Sequence, residues 1–344
     1  MTERMKGNKM ADLEQLYKHC VLCPRACGVN RLKDERGFCG MPAESSVARV
    51  SLHQWEEPCI SGKNGSGTVF FAGCSLGCVY CQNGRIISGN VIEGGGGDLN
   101  RCKVKDSHAL ASDYLLLEKS GAHNINLVTA SHFLPQVVES LRIAKEEGLS
   151  IPVVYNTSGY ERPDALRLLK DLVDIWLTDF RYMHSETAAA YSSAPDYPEA
   201  AKEALREMMS QSELSFDSDG MMRKGVIVRV LLLPGHVKEA EEILSYIWTE
   251  YGDRLYISLL SQYTPVRKEV PDPLLLRKVT AREYRRFLDF ALSCGISNAF
   301  IQEGSSAEES FIPEFDGGIH LADKNVKKRR KMQAPPESPS PLPA

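Results

Sequence analysis

The stretch Gly73-Cys74-Ser75-Leu76-Gly77-Cys78-Val79-Tyr80-Cys81-Gln82-Asn83 sets the frame for the rest of the chain. It follows the apolar run Thr-Val-Phe-Phe-Ala at residues 68–72, which is typical of a buried strand. Three cysteines then fall at the spacing C-x3-C-x2-C, in a segment with two glycines. The sequence therefore predicts a strand that leads directly into a compact three-thiol turn, called here the three-cysteine loop (residues 73–83).

The ligand number of this loop favours an iron–sulfur site. A four-iron cluster normally takes four cysteines, so three thiolates leave one iron free to bind a cofactor or substrate. Zinc is the alternative, but a structural zinc site takes four ligands and often includes histidine. After Cys81 the next histidine is His108. The spacing alone leaves both metals open, and we favour the cluster.

The motif, with Tyr80 just before the third cysteine, resembles that of the radical S-adenosylmethionine (SAM) superfamily. Within it, the chain is similar to the pyruvate formate-lyase activating enzyme-like proteins. The resemblance spans about residues 18–315. Its blocks are residues 53–58, 65–68, 81–83, 131–136, 155–160, 179–182 and 191–198.

The resemblance implies a radical SAM enzyme, an oxidoreductase with a partial (β/α)6 barrel of the TIM type. A [4Fe-4S] cluster on Cys74, Cys78 and Cys81 would bind SAM at its open iron. One electron would cleave SAM to methionine and a 5′-deoxyadenosyl radical that abstracts hydrogen. The expected partner is a low-potential electron donor such as flavodoxin or ferredoxin. The narrower version is an activating enzyme, whose substrate is a glycyl radical enzyme.

The resemblance also implies a SAM pocket at the strand ends. Many relatives carry Gly-Gly-Glu after the second strand to hold the SAM amine, whereas this chain has Thr-Ala-Ser-His at residues 129–132. We expect Ser131 or His132 to take that role. The full set of expected cofactor-binding residues is Tyr80, Ser131, His132, Asn156, Ser158, Asp179 and Arg229.

Structural alternatives stay open for these pocket residues. Tyr80 is equally typical of a core aromatic side chain, and Asn156 with Ser158 of a turn that caps the next helix. Arg229 interrupts an apolar run and needs a charged partner, whether a ligand or a carboxylate of the protein. Residues 55–57, Trp-Glu-Glu, either face a substrate or place a tryptophan on the barrel floor beside solvated carboxylates.

A second cysteine set, Cys20, Cys23, Cys27 and Cys39, has the spacing C-x2-C-x3-C-x11-C. Four thiolates separated by turn residues are typical of a closed metal site, called here the four-cysteine knuckle (residues 20–39). We favour structural zinc, with an auxiliary iron–sulfur cluster or reactive and disulfide chemistry as alternatives.

Composition narrows the function classes. The chain has 344 residues, 43% hydrophobic and 25% charged residues, and a net charge of −4, all ordinary for a globular protein. No apolar run is long enough to span a membrane, and nothing global indicates nucleic acid. The N-terminus lacks a signal-peptide core, so we expect a cytoplasmic protein.

Ten cysteines do not indicate a disulfide scaffold here. Seven of them lie in the two metal-type sets, and a chain of this length does not need covalent staples. The remaining Cys59, Cys102 and Cys294 are expected to be buried small apolar side chains.

Alternating strand and helix patterns indicate an α/β fold with a parallel sheet. The predicted helices are 11–18, 107–120, 135–148, 163–172, 184–191, 198–211, 237–251 and 281–293. The predicted strands are 47–53, 68–72, 125–129, 151–155, 174–178, 226–233, 255–260 and 298–302. The predicted regions are an N-terminal extension (1–19), the cysteine-rich knuckle and connector (20–66), the barrel (67–315) and a flexible basic, proline-rich tail (316–344).

Two further functions stay open. One is radical modification of a small molecule, peptide or RNA, since the knuckle is not part of the simplest activating enzymes. The other is a non-enzymatic zinc or iron–sulfur scaffold, including electron transfer without SAM. Neither a scaffold nor an electron-transfer protein needs a large barrel or an open iron.

Overall fold

The structure is a computed structural model that describes residues 13–87, 99–267, 270–301, 313 and 315–321. Its strands are β1 (Ser45–His53), β2 (Ser66–Phe71), β3 (Lys103–Lys105), β4 (Ile125–Val128), β5 (Val153–Thr157), β6 (Ile175–Asp179), β7 (Ser215–Phe216), β8 (Met222–Leu231), β9 (Tyr256–Leu260), β10 (Ala299–Ile301) and β11 (Ile319–His320). Its helices are α1 (residues 13–18), α2 (Pro58–Ser61), α3 (Ser107–Lys119), α4 (Leu134–Glu146), α5 (Pro163–Arg167), α6 (Ser185–Ser192), α7 (Tyr197–Gln211), α8 (Val237–Tyr251) and α9 (Ala281–Ser293).

The strands form one sheet in the order β10-β9-β8-β6-β5-β4-β2-β1-β11, with β3 on β1 and β7 on β8. From β2 to β10 every neighbouring pair on this path is parallel, and β1 joins β2 antiparallel. Helices connect successive parallel strands, which makes six β/α units among the described residues. This is an open, partial barrel, and the predicted fold class is confirmed.

The element boundaries differ from the predicted ones where the apolar pattern does not mark the register. The third parallel strand, β5, lies two residues later than predicted. Helix α5 ends at Arg167 rather than at residue 172, and the following turns carry Asp171 at φ +64°. A left-handed residue of this kind stops helix propagation, so these turns do not continue as a helix to residue 172.

The two faces of the sheet have different chemistry. Side chains alternate along each strand, so Leu127, Tyr155 and Trp176 pack into the main core under the helices. The opposite face lines the barrel interior, where Val154 and Leu177 join a smaller apolar cluster with Cys59 and Ile60 from the region of α2. The prediction of a buried structural cysteine is thus confirmed for Cys59.

Polar side chains replace apolar ones toward the carboxyl ends of the strands. Asn156, Asp179 and Arg229 follow the apolar interior residues on β5, β6 and β8, and Asp179 pairs with Arg229 in the sheet register. The carboxyl ends of β strands are where such barrels carry their chemistry. The three-cysteine loop follows β2 at this same end.

The predicted regional boundaries do not coincide with the ends of the sheet. The connector contributes β1, and residues of the predicted tail contribute β11, whose Ile319 and His320 pair with β1. The remaining tail (322–344), with its basic run, and residues 1–12 lie outside the described residues. None of the described helices is both long and apolar enough for a membrane span.

Candidate cofactor and metal sites

The three-cysteine loop is shaped by two left-handed glycines, Gly73 at φ +84° and Gly77 at φ +69°. These turns direct peptide N–H groups at sulfur, because Leu76 N and Gly77 N lie 3.3 and 3.5 Å from Cys74 Sγ. Donors aimed at sulfur are typical of thiolates that hold iron–sulfur clusters.

The cysteines of this loop share one electrostatic environment. Burial raises the pKa of the Cys74 thiol, and the neighbouring Cys78 raises it further. Burial, and then the neighbouring Cys74 and Cys78, raise the pKa of Cys81 to about 12. Because the pKa values of Cys74 and Cys81 are raised, these thiols resist ionisation unless a cationic centre joins them, and the donor set fits an iron–sulfur cluster. In the described part of the chain, no three His, Cys, Asp or Glu side chains are already arranged to hold a metal ion.

Arg181 faces this loop and was not predicted as a site residue. Burial opposes its charge, but Asp179 and then Cys78 outweigh this effect, so its pKa lies well above the usual value. The guanidinium donates to Asp179, whereas its buried Nε has no hydrogen-bond partner. In the sequence, Arg181 could have been found through its place in residues 179–182, one of the blocks that carry the family resemblance.

Tyr80 lies in a group of tyrosines behind the loop. Its hydroxyl is 2.8 Å from that of Tyr182, and its ring packs edge-on against Tyr182, Tyr191 and Tyr263. Burial raises the pKa of Tyr80, so the phenol stays neutral. The structure therefore places this side chain as the core aromatic that supports the loop, next to Cys81.

Ser131 and His132 follow β4, and both are buried. The Ser131 hydroxyl donates to Glu161, at 2.5 Å from Oε1, and the Thr157 hydroxyl donates to the same oxygen. Burial raises the pKa of Glu161 to about 7. Just before them, Thr129 has φ +59°, which is strained for a β-branched residue and marks this strand end as a specialised turn.

His132 serves the strand that precedes the loop. Its Nε2 lies 2.7 Å from the Ala72 carbonyl, and since a carbonyl only accepts, Nε2 carries the proton. Burial and then Arg31 lower the pKa of His132 to about 3, so the ring is neutral. Its Nδ1 is buried without a partner. Of the two residues expected to hold the SAM amine, this one is engaged with the backbone.

A polar network crosses the barrel interior around Arg229. The guanidinium donates to Asp179 at 2.8 Å and to Asn156 Oδ1 at 2.6 Å, and lies 3.6 Å from Glu56. Although burial disfavours its charge, Asp179, Glu57 and Glu56 raise the pKa of Arg229. The expected charged partner therefore exists within the protein.

Ser158 is half-buried, and its carbonyl accepts from the Tyr197 hydroxyl at 2.8 Å. Helix α5 begins at Pro163 with Arg162 as its N-cap and no side-chain cap. The alternative in which Asn156 and Ser158 cap the next helix is therefore wrong. Their side chains stay at the carboxyl end of β5.

The acidic pair before α2 reaches inward and is not solvated. Glu57 is 7% exposed, and Glu56 accepts from Asn126 Nδ2 at 3.0 Å inside the barrel. Burial raises the pKa of both carboxyls. Trp55 is instead 48% exposed, so the interpretation of a floor tryptophan with solvated carboxylates is wrong.

The four-cysteine knuckle is built mainly from turns, with one short 3-10 helix at Arg31–Lys33. Ala26, Gly28 and Gly40 have positive φ angles, and Phe38 N donates to Cys27 Sγ at 3.3 Å. Burial raises the pKa of Cys39, and Cys20 adds to this effect. All ten cysteines of the chain are free thiols. A set of adjacent free thiols suits a soft metal centre better than a disulfide.

The chain is similar to one curated protein and to two solved structures. An uncharacterized protein, MJ0674, of Methanocaldococcus jannaschii is 27% identical over 286 residues, covering 82% of this chain and 77% of that protein. Among solved structures, HydG, a maturase of the [FeFe]-hydrogenase, matches 93% of this chain with a TM-score of 0.46 and 10% identity. Streptococcus suis SuiB matches 75% of this chain with a TM-score of 0.43 and 12% identity. The chain spans 62% and 49% of these two structures.

The family model of the radical SAM superfamily matches residues 68–247, which contain β2, the three-cysteine loop and the strands through β8. The family implies a [4Fe-4S] cluster and SAM as cofactors. The fold, the thiol set and this match agree, and this chain belongs to the radical SAM superfamily.

Proposed function

We propose that Cys74, Cys78 and Cys81 hold the [4Fe-4S] cluster of this radical SAM enzyme. The observation that carries the proposal is the position of these three thiols, one buried and two half-buried, at the carboxyl end of β2, with peptide N–H groups directed at Cys74 Sγ. When bound, the cluster and SAM supply a one-electron cleavage that generates a 5′-deoxyadenosyl radical for hydrogen abstraction.

The polar side chains near the loop then form the SAM pocket. Arg181 offers a buried Nε–H without a partner, which suits a carboxylate. Asp179, Asn156 and Arg229 present a preorganised set of acceptors and donors at the adjoining strand ends. Ser131 and Ser158 add hydroxyls, while Tyr80 and His132 support the loop from behind and help to keep water from it.

The remaining functional assignments follow from the sequence resemblance. We assign the chain to the pyruvate formate-lyase activating enzyme-like subgroup, with a glycyl radical enzyme as substrate and a flavodoxin or ferredoxin as electron donor in the cytoplasm. A small molecule, peptide or RNA substrate is the second candidate. The knuckle is assigned a structural zinc, with an auxiliary iron–sulfur cluster as the alternative.

Electron paramagnetic resonance on anaerobically reconstituted, dithionite-reduced protein tests this function. We expect a reduced four-iron signal that changes shape when SAM is added. The Cys78→Ala variant should lose the SAM-responsive signal, whereas Cys294→Ala, outside both cysteine sets, should keep it.

Other results would redirect the assignment. A second signal that ignores SAM would place iron rather than zinc in the knuckle. Bound zinc with no iron signal after competent reconstitution would rule out the radical function and favour the scaffold alternative.

A further inference from the structure

Arg25, in the knuckle, donates hydrogen bonds to the backbone of the three-cysteine loop. Its Nε donates to the Ser75 carbonyl at 3.0 Å and its Nη2 to the Leu76 carbonyl at 3.2 Å. The same guanidinium donates to the carbonyls of Ser192 and Ser193 at the end of α6. One side chain from between two knuckle cysteines thus engages four carbonyls in two other segments.

The guanidinium is held in place by the knuckle itself. Arg25 Cζ lies 3.6 Å from the ring centroid of Phe38, the residue before Cys39. An arginine stacked on an aromatic face keeps its planar fork oriented, which a lysine does not. Two separate parts of the knuckle therefore fix the direction in which Arg25 donates.

A second arginine of the knuckle reaches the other side of the loop. Arg31 is 1% exposed and donates to the His132 carbonyl, while its Nη1 lies 4.0 Å from Cys20 Sγ. His132 in turn donates to the carbonyl of Ala72, two residues before Cys74. These contacts connect the Cys20 thiol of the knuckle to the end of β2, which leads into the three-cysteine loop.

The knuckle also packs directly on the first turn of the loop. A Cβ placed on Gly73 would overlap the Met41 side chain and lie 3.1 Å from the Cys39 carbonyl. Ser192, whose carbonyl Arg25 engages, donates its hydroxyl to Cys78 Sγ at 3.1 Å. Arg25, Arg31 and the packing of Met41 and Cys39 on Gly73 therefore connect the knuckle to the loop or to the strand end before it, and Arg25 also reaches Cys78 through Ser192.

We propose that Arg25 and Arg31 are positioning residues through which the four-cysteine knuckle sets the geometry of the three cluster-binding thiols. The inference rests on the proposed function for the identity of the cluster, but not for the contacts. It gives the knuckle a role in the reaction centre beyond local stability.

Hydrogen–deuterium exchange combined with the paramagnetic signal of the reconstituted protein tests the proposal. Arg25→Ala should raise amide exchange in residues 73–83 about tenfold, because four charge-assisted hydrogen bonds are lost. It should also change the shape of the SAM-bound signal. Arg36→Ala is the matched control, since Arg36 donates to Gly40 within the knuckle and should leave both readouts unchanged.

A double-mutant cycle separates positioning from general destabilisation. Cys23→Ala should speed exchange of the loop as well, and adding Arg25→Ala to it should have little further effect, because both act through the same link. Fully additive effects, or an Arg25→Ala variant that matches Arg36→Ala in both readouts, would overturn the proposal.

Two further arms keep the test decisive. If Arg25→Ala does not fold, Arg25→Lys replaces it. An amide-exchange rate of residues 73–83 between the wild-type and Cys23→Ala rates would support a role for the guanidinium of Arg25. A wild-type exchange rate in Arg25→Lys would overturn the proposal. If the wild-type protein shows no SAM-responsive signal but Arg25→Ala still speeds exchange of residues 73–83, the proposed function fails while the link stands.

Discussion

The two cysteine sites of this chain use the same side chain in opposite structural settings. The three-cysteine loop follows the end of β2 and accepts hydrogen bonds from its own turn and from Ser192 on α6, while the charge of Arg181 lowers the pKa of Cys81 against the larger effects of burial and the neighbouring cysteines. The knuckle consists of turns and one short 3-10 helix at Arg31–Lys33, and its Cys27 is exposed. A site with three ligands depends on the surrounding fold for its remaining contacts, whereas a site with four can be closed by its own turns.

The largest effect that would test this comparison is loss of catalysis at the three-ligand site. We expect Cys78→Ala, and likewise Cys74→Ala or Cys81→Ala, to abolish reductive SAM cleavage, because two thiolates cannot keep the cluster. The measurement is chromatographic detection of 5′-deoxyadenosine after dithionite reduction. Wild-type yields from any of the three variants would show that the cluster is held elsewhere.

The next effect concerns the four-ligand site. We expect Cys23→Ala to lower the free energy of unfolding by about 4 kcal/mol, a fraction of the ~10–16 kcal/mol that structural zinc contributes in small zinc fingers. Cleavage of SAM should fall but persist, since the cluster ligands remain. Anaerobic urea denaturation alongside the cleavage assay measures both. Unchanged stability with abolished cleavage would reverse the roles of the two sites.

Glu161 lies between Ser131 and the knuckle, and its titration predicts an effect of pH on stability. It accepts from Ser131 and Thr157, and after burial and Cys39 it is a further cause of the raised pKa of the Cys23 thiol in the knuckle. Burial raises its own pKa to about 7, above the value of 4.5 in the unfolded chain. The folded protein therefore binds a proton more tightly, and stability declines as pH rises from about 4.5 to about 7.

A glutamine at this position mimics the protonated acid and should remove that decline. Glu161→Gln is expected to equal wild type at pH 4.5 and to exceed it at pH 8 by about 3 kcal/mol in the free energy of unfolding. Urea denaturation at the two pH values gives the comparison. An equal difference at both would mean that the carboxyl does not titrate in this range.

The smallest expected effect is at Ser192. Its hydroxyl donates to Cys78 Sγ and lies 2.7 Å from the Tyr182 hydroxyl. Ser192→Ala should cost about 1 kcal/mol of stability and make the midpoint potential of the cluster more negative, because one hydrogen bond to sulfur is lost. Spectroelectrochemistry with wild type as the reference reads the potential. A potential that rises or stays the same would place Cys78 outside the cluster.

Sequence patterns predicted the repeating strands and helices well because each unit has its own local periodicity. Helices α8 and α9 match their predicted ranges, and the cysteine spacing pointed to a metal loop after β2. The barrel interior was less accessible to this reasoning. Glu56 contacts Arg229, a residue far along the chain, and no local pattern reports such a pair.

The same limit applies to individual site residues. The sequence resemblance led us to expect His132 as a candidate for the SAM amine, whereas its hydrogen bond to the Ala72 carbonyl depends on how two strand ends meet. Arg25 looked like an ordinary residue between cysteines, and only the fold shows that it engages carbonyls at 75, 76, 192 and 193. Contacts of this kind are set by tertiary packing rather than by spacing.

The contacts of Arg25 also determine when, during synthesis of the chain, the three-cysteine loop can gain all of its neighbours. The carbonyls that it engages at residues 192 and 193 emerge from the ribosome long after the knuckle and the three-cysteine loop. Until then the loop lacks the hydrogen bond from Ser192 to Cys78, and Arg25 lacks two of its four carbonyl partners. The loop therefore gains its full set of contacts only after residues 192 and 193 have been synthesised, while β8, β9 and β10 are still to come.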